Sequence, residues 1–151
     1  MYRDKKILIL AGCKPSETSY LYSAFKKICQ TDVIYAQQFT QRRVDRLFQP
    51  FGLGRIFQNA KLANEAIVQA AESKNYDVIC IEKGLTISRE TVVRVKDLNI
   101  DSHIALWTWD DQALSHNQTR CFLDAANAYD LVFTTKSNNI KYRELEKIGF
   151  K

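Results

Sequence analysis

The sequence predicts an α/β protein in which a parallel sheet of about five strands carries helices on both faces. Two observations predict it. Five short apolar runs recur along the chain, and a helical pattern separates each run from the next. Most runs are apolar almost without interruption, as expected of strands buried on both faces of a parallel sheet. Strand follows helix throughout, with no repeat, low-complexity segment or internal linker. The expected organisation is therefore one doubly wound domain over residues 1–151.

The first strand is KILILA (6–11). The basic residues before it give a superficial look of a signal peptide, but the apolar run is too short and ends in a turn at Gly12. The remaining strands are DVIYA (32–36), DVICIE (77–82), SHIALWTW (102–109) and DLVFTT (130–135). A first helix is predicted over 18–30, with Leu21, Phe25 and Ile28 on one side. A longer one over 54–75 places Ile56, Ala60, Ala63, Ile67 and Ala70 at helical spacing. SRETVVRVKDLN (88–99) opens with Ser88, a good N-cap residue, followed by an early acid. Helices over 117–129 and 137–150 complete the set.

Composition narrows the function classes. Hydrophobic residues make up 46% and charged residues 26%, ordinary values for a globular domain. No apolar run approaches the ~20 residues of a membrane span, and a cytoplasmic protein is expected. Cys13, Cys29, Cys80 and Cys121 form no CxxC pair, and His103 and His116 fall into no ligand spacing. Reduced thiols and no metal site are expected. The formal charge of +5 is compatible with phosphate ligands without requiring them.

In doubly wound sheets, ligands sit at the carboxyl ends of the strands, near the point where strand order reverses. The strand ends here are Gly12–Cys13, Ala36–Gln37, Glu82–Lys83–Gly84, Trp109–Asp110–Asp111 and Thr134–Thr135–Lys136. After the first strand, AGCKPSETS holds neither GxGxxG nor GxxxxGK[ST], so a dinucleotide or P-loop site has little support. Cys13 heads a loop before a helix, a setting that activates thiols, but a cysteine phosphatase would need arginine where Ser19 stands. A plain turn capped by Ser16 or Thr18 is the simpler reading. A receiver domain would need an aspartate where the third strand ends in Glu82–Lys83. Gly84 allows close backbone approach, and Lys83 offers a charge to the crevice; a simple turn accounts for Gly84 as well.

Residues 39–57 interleave Arg42, Arg43, Arg46 and Arg55 with Phe39, Phe48, Phe51 and Phe57. Nucleic-acid surfaces have this composition. An amphipathic helix and turn with solvated arginines explains it more simply, so nucleic acid is not the expected partner. Within WTWDDQALS (107–115), adjacent carboxylates are poorly placed for glycoside hydrolysis and lack further metal ligands. One acid capping the next turn while the other faces the crevice is the expected arrangement.

The succession NYDVICIEKG, ISRETVVRVKDLN, IALWTWDD and NAYDLVFTTKSNNIKYRELEKIGFK resembles the amino-terminal half of the CgeB-like glycosyltransferases over residues 75–151. The resemblance rests on the order and spacing of short elements. It implies a three-layer Rossmann-like domain forming one half of a GT-B architecture. The acceptor-binding domain then faces a second domain that holds the nucleotide-sugar donor, and no cofactor or metal is needed. It implies that Lys83, Gly84, Trp109 and Asp110, with Gly12 and Cys13 opposite, line the acceptor cleft, and that Asp111 is the general base. The expected function is sugar transfer to an unknown acceptor by a longer enzyme. The alternative is a stand-alone, non-catalytic Rossmann-like ligand-binding or regulatory module.

Overall fold

The computed structural model describes residues 2–12, 19–36 and 58–150. Cys13, the Ser16 and Thr18 caps, Ile56 and the basic aromatic segment 39–57 lie outside them. The described strands are β1 (Lys6–Ala11), β2 (Gln30–Tyr35), β3 (Val78–Glu82), β4 (His103–Thr108) and β5 (Leu131–Thr134). They form one sheet in the order β2-β1-β3-β4-β5, and every neighbouring pair is parallel. The helices are α1 (Tyr20–Phe25), α2 (Gln58–Ser73), α3 (Arg89–Leu98), α4 (Arg120–Ala125), α5 (Ser137–Lys141) and α6 (Glu144–Lys147). The doubly wound α/β prediction is thus the observed fold.

Alternate residues of the apolar strands feed two cores. On one face Leu8, Leu10, Ile79, Ile81, Ile104 and Leu106 pack with Ala63 and Ile67 of α2, Val92 and Val95 of α3, and Phe122 of α4. On the other, Ile7, Ile9, Ala11 and Cys80 pack with Leu21, Tyr22 and Phe25 of α1 and with Trp107. Each fully buried Leu or Ile contributes about 1.5–3 kcal/mol of transfer free energy, so both layers are needed to hold the sheet. Towards β5 the second face opens: Leu131 and Phe133 are exposed, with Phe133 tilted against Trp107 at 5.8 Å.

Capping matches the sequence at α3, where the Ser88 hydroxyl accepts from Thr91 N. Thr119 does the same for α4 through Phe122 N. Three helices differ from expectation. The one predicted over 117–129 is α-helical only over Arg120–Ala125 and continues as a 3-10 turn over Ala126–Ala128. The first helix stops at Phe25 in a turn, which carries Ile28 off the inward face and leaves it half exposed. The C-terminal helix over 137–150 is broken in two at Arg143, whose φ is 53°. The break redirects the chain so that Leu145, Ile148 and Phe150 reach the first core. Gly149, at φ 100°, closes α6: Phe150 N donates to Leu145 O and Gly149 N to Glu146 O, the paired bonds of a Schellman cap. No helix among the described residues is long and apolar enough to cross a membrane.

The two Tyr-Asp dipeptides share a structural task. Asp77, before β3, accepts from Lys6 N at the start of β1 and from the Lys5 ammonium. Asp130, before β5, accepts from Ile104 N in β4 and from the Lys96 ammonium. Tyr76 and Tyr129 are buried in the first core.

Candidate functional site

The chain runs from β1 outward to β2, then crosses back over β1 to β3, so strand order reverses between β1 and β3. The crevice at this reversal lies between Gly12, after β1, and Glu82–Lys83, at the end of β3. Glu82 is buried and its carboxylate joins the two sides. Oε2 accepts from Gly12 N at 2.7 Å, and Oε1 accepts from the Ser19 hydroxyl at 2.7 Å. Ser19 in turn caps α1 by accepting from Tyr22 N. One carboxylate thereby fixes the end of β1 and the start of α1.

Lys83 has φ 64°, a left-handed conformation that a side-chain-bearing residue adopts only when its surroundings enforce it. Its backbone N–H donates to Trp107 O on β4. The side chain then runs past Gly12, where a Cβ would meet Lys83 Cγ at 3.4 Å. The ammonium lies 4.9 Å from the centre of the Trp109 ring and 3.5 Å from Asp110 Oδ2. Cation–π attraction and the ion pair thus converge on one partly exposed lysine. Gly12, Lys83, Trp109 and Asp110 are therefore neighbours at the carboxyl ends of β1, β3 and β4, while Cys13 lies outside the described residues.

Gly84 has a different task. Its φ is also 64°, and a Cβ there would come within 2.9 Å of Leu106 Cδ1 and 3.0 Å of the Tyr129 hydroxyl. It faces the core and shapes the turn below the crevice.

The two aspartates separate as the turn chemistry requires. Asp111 Oδ1 accepts from Ala113 N, and its carbonyl accepts from Leu114 N and the Asn117 amide. It caps the turn that follows. Asp110 instead directs its carboxylate to Lys83, with its side chain only 19% exposed. Beneath the pair lies a buried polar network. Gln112 Nε2 donates to Thr108 Oγ1 at 3.0 Å, and Asn139 bridges β4 to β5 through Asp110 O, Gln112 N and Thr134 Oγ1.

Sequence reasoning missed the parts played by Glu82, Ser19, Gln112 and Asn139. Glu82 carried one readable signal: an acid closing an otherwise apolar strand must find donors when buried. Among the described residues, no group of three or more His, Cys, Asp or Glu side chains is placed to hold a metal ion.

No family model and no curated protein matches the chain. Among solved structures it is similar to a fusion carrying the trimeric coiled coil of yeast Spc42, at 12% identity and a TM-score of 0.47. The match covers 97% of this chain and 78% of that one.

Proposed function

We propose that this domain is the acceptor-side, amino-terminal half of a GT-B glycosyltransferase. One observation carries the reading: Lys83, Trp109 and Asp110 converge beside the strand-order reversal of a parallel sheet. An indole face beside a carboxylate suits a hydroxyl-bearing ligand, whose C–H face lies on the ring while a hydroxyl donates to the carboxylate. In this reading Asp110, rather than Asp111, takes the acceptor proton, because Asp110 lies in the crevice beside Lys83 whereas Asp111 turns into the loop it caps. The acceptor oxygen then bonds to the anomeric carbon of the donor sugar. The bond to the nucleotide diphosphate breaks, and the diphosphate leaves into the second domain. Lys83 balances the charge of the Asp110 carboxylate, and Glu82 holds the opposite wall.

The test is release of nucleotide diphosphate by the natural full-length protein, supplied with a panel of nucleotide-sugars and hydroxyl acceptors. Asp110→Asn should lower turnover by about 100-fold or more, the usual worth of a general base, with Asp111→Asn much milder. Full turnover in Asp110→Asn overturns the assignment. Absence of transfer, combined with saturable quenching of Trp109 fluorescence by a sugar, would establish the non-catalytic binding module instead.

A further inference from the structure

We infer that Asn139 is the positioning residue that sets Asp110 in the crevice. The inference rests on the reading of Asp110 as the acceptor-facing carboxylate. Asp110 lies just beyond the end of β4, where strand-end loops are ordinarily mobile. Its ion pair does not fix it: 3.5 Å to Lys83 is long beside the 2.7–2.9 Å of a charge-assisted hydrogen bond. Its backbone is what is held. Asp110 N donates to Thr108 Oγ1 at 3.3 Å, and its carbonyl accepts from Asn139 Nδ2 at 3.0 Å and Gln112 Nε2 at 3.4 Å. Gln112 N, two residues on, donates to Asn139 Oδ1 at 2.9 Å.

Asn139 thus grips both ends of the turn that presents Asp110, donating to one and accepting from the other. Its orientation is itself set by β5, because Nδ2 also donates to Thr134 Oγ1 at 2.8 Å. Asn139 is 1% exposed and Gln112 is fully buried. The network is therefore shielded from water, where each bond is strong and a missing partner is costly. An asparagine is required for this task. Only a primary amide offers a fixed acceptor and two donors on one short side chain, and aspartate in its place would aim an acceptor at the Asp110 carbonyl. The Asn139 amide bonds to Gln112 N, Asp110 O and Thr134 Oγ1, all outside α5, so it serves the neighbouring loop and strand rather than its own helix.

A structural tie between β4 and β5 alone would leave the crevice side chains unmoved when it is cut. Positioning would not. Because Lys83 sits over the Trp109 ring, its Cε protons should carry an upfield ring-current shift in the NMR spectrum. In Asn139→Ala that shift should be lost while the methyl signals of Ile104 and Leu106 stay in place; an unmoved Lys83 signal in the folded variant overturns the inference. If Asn139→Ala does not fold, Thr134→Val serves instead. It removes the bond from Asn139 Nδ2 that orients the amide, together with the one from Lys136 N at the start of α5, and should reduce the Lys83 shift; an unchanged shift there overturns the inference equally. Transfer assays separate the two proposals. Loss of the shift in Asn139→Ala with full turnover in Asp110→Asn keeps the positioning and removes the enzyme reading. The reverse pattern removes the positioning alone.

Discussion

Glu82 offers the sharpest test of how the crevice is built. Its two carboxylate oxygens each accept a 2.7 Å hydrogen bond, from Gly12 N and from the Ser19 hydroxyl, at 6% exposure. Hydrogen bonds to a charged group contribute about 1.5–3 kcal/mol each, so Glu82→Ala, which removes both, should cost about 3–6 kcal/mol. That is a large part of the roughly 5–15 kcal/mol that stabilises a domain. Glu82→Gln keeps the shape. Its carbonyl oxygen still accepts from Gly12 N, and its amide donates to the Ser19 oxygen if that hydroxyl turns away. Only the charge and the hydroxyl's donation are lost, so the cost should be about 1–2 kcal/mol. Urea unfolding followed by far-UV circular dichroism at neutral pH measures both. Two results would refute the reasoning: Glu82→Ala within about 1 kcal/mol of the wild type, or Glu82→Gln as costly as Glu82→Ala. Either would mean that the loop after β1 and the start of α1 are held by something other than this carboxylate.

Other expectations follow from the same geometry. Gly84→Ala places a methyl 2.9 Å from Leu106 Cδ1 at φ 64°, and should cost about 1–3 kcal/mol in thermal unfolding. Tyr129→Phe removes a buried hydroxyl without a partner among the described residues; it should be neutral or stabilising by up to about 1 kcal/mol. Burial, with the Glu82 charge adding to it, pushes the Cys80 thiol up to about 12. Peptide mapping after alkylation at mildly alkaline pH should therefore find Cys80 unmodified in the native protein while Cys29, partly exposed, is labelled. Asp77 is held below the usual carboxylate range by its hydrogen bond from Lys5 and then by Lys6 N. For Asp130, burial pushes upward but is outweighed by Lys96 and Ile104 N. Groups lowered on folding stabilise above their unfolded value and lose that contribution as pH falls. The double variant Asp77→Asn/Asp130→Asn should be less stable at neutral pH, with a flatter decline below about pH 4 in urea titrations. A decline as steep as that of the wild type would remove the two carboxylates as the source of acid sensitivity.

What was legible in the sequence was whatever depends on local pattern. β1 spans Lys6–Ala11 as KILILA predicts, and Ser88 caps α3, because apolar runs and caps act over a few residues. That one acid of the Asp110–Asp111 pair caps the next turn while the other faces the crevice was legible too, but not which acid does which, since that follows from the turn Asp111 closes onto Ala113 N. The break at Arg143 was hidden because nothing in KYRELEKI (141–148) interrupts a helical pattern. It is tertiary burial of Leu145 and Phe150 that favours it. The Glu82 and Asn139 networks were illegible for a plainer reason. Glu82 meets partners 63 and 70 residues away, and Asn139 meets Gln112 across 27. No window of sequence holds both ends.

The two Tyr-Asp aspartates bear on a problem that burial alone does not solve. A one-residue slip of β1 against its neighbours would exchange Ile7 and Ile9 for Leu8 and Leu10 between the two cores. All four are buried and apolar. For these four side chains transfer free energy scarcely distinguishes the two alignments, whereas in a sheet with one wet face it would forbid the slip. A parallel sheet also has no hairpin turn to count residues. Asp77 supplies the missing origin: its carboxylate fits the Lys6 amide in one alignment only, and Asp130 does the same between β5 and β4. These two polar marks set the phase of the strands, and through it which side chains arrive at the carboxyl ends to build the crevice.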